Sequence, residues 1–110
     1  MNHISTSDLI DQLEHESTNY LELLSEDALS VELARFPNPE PKTPHKTDEL
    51  YYIISGSGMV HVEGDRYAVD EGDVVYVEQG AEHDFFDIED EITALVVFAS
   101  SEDSVLGRGL

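Results

Sequence analysis

The sequence predicts an all-β fold, a double-sheet jelly roll or small barrel with one short N-terminal helix, and three observations carry that prediction. From Tyr20 onward the chain falls into short runs rich in Val, Ile, Leu, Tyr and Phe. Those runs end at Gly, Pro, Asp, Asn or Ser, the residues that punctuate strands. Helical spacing of apolar residues occurs in one stretch, near the start. Eight short strands with tight links suit two packed sheets or a closed barrel better than a sheet flanked by helices.

Taken in order, Ser7 is expected to cap a helix whose Leu9, Ile10 and Leu13 share one face. Strands are expected over Tyr20–Leu24, Leu29–Phe36, Glu49–Ser55, Met59–Glu63, Arg66–Val69, Val74–Val77, His83–Ile88 and Ile92–Ala99. The turns between them fall at Ser55–Gly58, Gly64-Asp65, Asp70–Gly72 and Gly80-Ala81. The segment Pro37–Pro44 holds all four prolines, which lack backbone donors, so it is expected not to pair regularly and to deliver His45 to the next strand. With 110 residues the chain suffices for one compact domain: a helical arm over 1–18, the barrel over 19–100 and a tail over 101–110.

Composition narrows the chemistry. No cysteine is present, which removes disulfides, thiolate metal sites and thiol nucleophiles, so a metal must be held by nitrogen and oxygen. The 25 acidic against 5 basic residues give a formal charge of -20, which argues against nucleic acid or an anionic membrane as partner. The acidic N-terminus does not read as a signal peptide and no apolar run reaches membrane length, so a soluble, cytoplasmic protein is expected. The acid excess suits either a salt-rich, halophilic cytoplasm, where repulsion is screened, or simply an acidic soluble protein. Stability in low against molar salt separates the two.

His45 and Glu49 lie four apart, with Pro44 before them and Leu50–Ile54 after, so they read as one face of a strand. His83, Phe85 and Asp87 repeat that geometry later. An imidazole and a carboxylate on one strand, with a second imidazole on another, can form the facial set that suits Fe(II), Mn(II), Ni(II), Co(II) or Zn(II). Tyr51 shares the inward parity of Glu49; it either presents its hydroxyl to a ligand or is a core tyrosine satisfied by the backbone. Asp87 is either an acceptor orienting a ligand histidine or metal-bound water, or an acid near a turn. Phe85 and Phe86 read as packing, His61 as structural or exposed, and Asp48 as solvent-facing. No phosphate loop or nucleophile elbow is present.

The run Thr43–Glu49, followed by six residues and Gly56, resembles the first motif of the cupin superfamily. Gly72, Glu78-Gln79-Gly80, His83 and Asp87 resemble the second, in the same order and register. The resemblance spans residues 29–99 and implies a cupin double-stranded β-helix. It carries the family's metal ligands over to His45, Glu49 and His83. Thr43 stands where that family has a further histidine, Pro37 replaces a leading glycine, Glu78 a proline and Asp87 an asparagine. The set is therefore one imidazole short, with positions left for water or substrate.

The resemblance implies one divalent metal ion, a small-molecule ligand and a homodimer. The function expected is that of a metal-dependent cupin acting on a small organic molecule, with dioxygenase and isomerase chemistry both open. The alternative is a non-catalytic module that binds a sugar or carboxylate.

Overall fold

The computed structural model describes residues 3–16, 19–36, 40–42 and 47–100. Helix α1 (Thr6–His15) is followed by seven strands: β1 (Tyr20–Ser25), β2 (Leu29–Phe36), β3 (Glu40–Lys42), β4 (Thr47–Val62), β5 (Asp65–Val69), β6 (Val74–Val77) and β7 (His83–Ser100). All pairings are antiparallel. The strand order is β1-β2-β7-β4-β5, with β3 beside β7 and β6 beside β4. The all-β barrel with a short N-terminal helix is thus the observed architecture.

The helix presents the expected face, with Leu13 buried and Leu9 and Ile10 half-buried, and it rests on β1. It begins two residues earlier than the sequence suggests. Ser5, not Ser7, is the capping residue, and the two serine hydroxyls lie 3.2 Å apart instead of bonding the helix end.

Seven strands stand where eight were expected: two predicted breaks are bends within continuous strands, which merges four expected strands into two, and β3 is an additional strand. Drawn straight, the 18 residues of β7 would extend about 60 Å, yet the molecule's longest dimension is 43 Å. Strands β4 and β7 therefore fold over together. Their pairing runs from Thr47↔Ser100 to Val62↔His83 and slips register between Ile53 and Met59. On β7 the slack is taken up around Asp87 and Asp90, both with left-handed φ (49° and 61°). On β4 the bend falls at Gly56, whose φ is 95° and whose missing Cβ would stand 2.1 Å from the Glu91 carbonyl oxygen. Only glycine fits there.

The proline-rich segment also departs from expectation, since Glu40–Lys42 pairs with β7 through Glu40↔Phe85, Pro41↔Asp84 and Lys42↔His83. Pro41 is tolerated because, among the described residues, β3 pairs with β7 alone, and an edge strand can leave a donor out.

The core lies between the two halves of the folded pair. Phe36, Tyr51, Ile53, Val60, Val77, Phe85, Ile92 and Val96 form its centre, all at most 2% exposed. Alternation sets the outer face: Leu50 and Tyr52 are exposed between buried Glu49, Tyr51 and Ile53.

Candidate metal and ligand site

The polar ends of Glu49, Tyr51 and His83 meet inside the core. Glu49 is the third residue of β4, paired on one side with Val77 and on the other with Phe98. His83 opens β7 and pairs with Val62, at the opposite end of β4. Because β4 and β7 fold over, those opposite ends come together: His83 Nε2 lies 3.5 Å from Glu49 Oε2, with both side chains essentially inaccessible to solvent. The Tyr51 hydroxyl completes the group, donating to Glu49 Oε1 at 3.1 Å and lying 3.2 Å from His83 Nε2. A hydrocarbon wall surrounds them, with Tyr51 edge-on to Phe85 (5.1 Å) and Phe85 stacked on Phe36 (4.9 Å).

The imidazole is held in one tautomer. His83 Nδ1 lies 3.0 Å from the Ala81 carbonyl oxygen, which can only accept, so Nδ1 carries a proton and Nε2 faces inward. Ala81 in turn closes a tight turn by donating its N–H to the Glu78 carbonyl at 3.0 Å, with Gly80 at φ 81°. The turn is fastened from both ends of β4. Asp48 Oδ1 accepts the Gln79 N–H at 2.8 Å, and Glu63 Oε2 accepts the Glu82 N–H at 3.1 Å.

Tyr51 keeps its proton. Burial raises its pKa well above the ordinary phenol value, and the charge of Glu49, the hydrogen bond to that carboxylate and the charge of Glu32 add to the effect. The group inside the barrel is therefore a carboxylate, an imidazole and a neutral phenolic donor.

Of the residues expected from sequence, the structure brings Glu49, Tyr51 and His83 together. Thr43 and His45 lie outside the described residues. Among the described residues no cluster of three or more His, Asp or Glu side chains is placed to hold a metal ion. Asp87 does not join the interior. It is exposed, because its left-handed φ breaks the alternation that would have aligned it with His83 and Phe85. Tyr51 differs as well, since its hydroxyl donates to the Glu49 carboxylate and not to the backbone. His61 is half-exposed as expected, accepting the Gly64 N–H at 3.2 Å with Asp84 3.4 Å away. Sequence reasoning missed the fastening of the 78–82 turn by Asp48, for which residues 31 apart give no local signal.

Residues 34–99 match the Cupin domain family. An uncharacterized protein of Streptomyces coelicolor is 34% identical over 99 residues, covering 84% of this chain and 94% of its own length. A cupin-2 domain containing protein from Shewanella frigidimarina superposes with a TM-score of 0.72 at 14% identity, covering 87% of this chain and 93% of that one. The DMSP lyase DddQ from Ruegeria pomeroyi superposes with a TM-score of 0.68 at 23% identity over 74% of this chain. The chain spans 46% of that lyase's length. At these identities the likeness to both structures is one of fold.

Proposed function

The chain belongs to the cupin family, and from that premise we propose that it holds one divalent metal ion with His45, Glu49 and His83 and acts on a small organic molecule inside the barrel. Two buried acceptors that face each other carry this reading. With Nδ1 directed to the Ala81 carbonyl, the inward Nε2 of His83 stands 3.5 Å from a carboxylate oxygen of Glu49. A nitrogen and an oxygen donor so placed could hold a metal ion between them, as they could share a second ring proton. Ligands about 2.1 Å from an ion, at octahedral or tetrahedral angles, stand about 3.0–3.4 Å apart, so a small inward shift of either side chain would accommodate one.

Nitrogen and carboxylate donors fit Fe(II), Mn(II), Ni(II), Co(II) and Zn(II) alike. His45 is the third donor by family motif. The described residues on either side support the assignment, because Lys42 pairs with His83 and Thr47 opens β4 two residues before Glu49.

Bound there, such an ion would supply Lewis-acid polarisation of a substrate oxygen and, if it is iron, access to dioxygen chemistry. The rest falls to the chain's own residues. The Ala81 carbonyl fixes the plane and tautomer of His83. Tyr51 engages Oε1 of Glu49, leaving Oε2 toward His83, and offers a retained proton to an oxygen near either group. Phe36 and Phe85 keep water from that corner. The Tyr51 donor also suits a second reading, in which the barrel captures a sugar or carboxylate without turnover.

A homodimer belongs to the same proposal. On the outer face of β4 and β6, Leu50 lies opposite Tyr76 and Tyr52 opposite Val74, all four exposed. This apolar patch, with Asp48 and Glu78 beside Tyr76 at its edge, gives a chain of charge -20 a place to meet its copy.

The experiment is a screen of metal-loaded protein for oxygen consumption on 1,3-dicarbonyl and catechol-like compounds, for isomerisation of sugars, and for saturable binding of sugars and carboxylates. Turnover that Glu49→Gln and His83→Ala abolish supports the enzyme. Binding without turnover supports the second reading, and neither, with metal bound, contradicts both.

A further inference from the structure

We propose that Asp48 is a positioning residue for His83, setting the imidazole from outside the barrel while its neighbour Glu49 acts within. Adjacent residues of a strand point to opposite faces, so Glu49 enters the core and Asp48 turns outward. The Asp48 carboxylate does not simply meet solvent there. Its Oδ1 takes the Gln79 N–H at 2.8 Å, the shortest fastening between β4 and the turn that carries His83.

From Gln79 the connection is continuous. The turn closes through the Ala81 N–H on Glu78, the Ala81 carbonyl holds Nδ1 of His83, and Nε2 then faces Glu49. One dipeptide therefore supplies both a candidate ligand and the brace for another. A shift of the turn moves the Ala81 carbonyl, and with it the direction of the Nε2 lone pair. The competing support is Glu63, which fastens Glu82 from the far end of β4 through Oε2 and its own N–H.

The claim about metal geometry rests on the reading of His83 as a ligand, so the test separates the two. Asp48→Ala removes the brace, and Asp48→Asn keeps an oxygen acceptor. Asp73→Ala is the control: Asp73 Oδ2 fastens the Asp70 N–H at 2.8 Å in a comparable exposed turn that does not carry His83. Each full-length chain, stripped of metal, is titrated with Zn(II) by calorimetry, and the His83 ring Nδ1–H is followed by NMR at fixed pH.

Asp48→Ala is expected to weaken Zn(II) binding by about tenfold or more and to lose the protected His83 Nδ1–H signal. Asp48→Asn should restore both, and Asp73→Ala should match the wild type even where its thermal stability falls as far. Asp48→Ala indistinguishable from Asp73→Ala in both readouts would overturn the proposal and assign the turn's support to Glu63. If the wild type takes up no Zn(II), the metal reading loses its support, and the brace is judged by the ring signal alone.

Discussion

Tyr51 gives its hydroxyl proton to Glu49 Oε1 across 3.1 Å, from two residues further along the same strand. The two side chains share a face because strand periodicity is two, and both are buried to within 2% of full coverage. Tyr51→Phe keeps the ring contacts with Phe36 and Phe85 and deletes that donor. A buried carboxylate oxygen deprived of it costs about 1–3 kcal/mol. The expected result is a lower urea midpoint with an unchanged slope, while metal stoichiometry stays at the wild-type value.

The same pair fixes a response to alkali. The folded-state pKa of Tyr51 is raised, by burial first and then by Glu49, above the ordinary value of 10.0 that it recovers on unfolding. The folded state therefore retains a proton that the unfolded chain gives up. Its contribution to stability is complete below that value and is lost as pH rises above it. Denaturant midpoints measured upward from pH 9 should fall past pH about 10, and Tyr51→Phe should flatten that part of the curve. Tyrosinate absorbance from Tyr51 should appear together with unfolding.

The legibility of this fold in its sequence followed the range of the signal. Local alternation foretold that Glu49, Tyr51 and Ile53 face inward together, and the structure agrees. The same alternation, extended from His83 through Phe85, misplaced Asp87, because a left-handed φ at that residue is a product of the β4–β7 bend and not of local composition. Gly56 was legible as a special backbone position but read as a turn. Whether a chain turns or bends at a glycine depends on what pairs with it, here a partner more than thirty residues away. The encounter of His83 with Glu49 was legible through the family motifs, while the brace from Asp48 to Gln79 had no signature at all.

Gly56 offers the sharpest test of the folded-over pair. Gly56→Ala places a methyl group against the Glu91 carbonyl at a φ of 95°. Gly64→Ala meets a similar φ of 91° but has nothing within 4 Å of its added Cβ. The second should cost about 1–2 kcal/mol, the penalty of left-handed backbone alone, and the first about 3 kcal/mol or more. Equal losses in chemical denaturation would show that the close approach at Gly56 does not constrain the fold.

Self-association can be read by sedimentation. Tyr52→Glu and Val74→Glu each place a charge in the apolar patch on the outer face of β4 and β6. The wild type is expected to sediment as a dimer and both variants as folded monomers. Dimers that survive both substitutions would assign the interface to another face.

The central claim is that Glu49 and His83, 3.5 Å apart in a water-excluding core, hold a metal ion. Its most direct test is the metal content, by elemental analysis, of protein purified without added metal, measured for the wild type and for Glu49→Gln, His83→Ala and His45→Ala. The account predicts close to one equivalent of a first-row divalent ion in the wild type and its loss in all three variants. Metal content that the substitutions leave unchanged would contradict it.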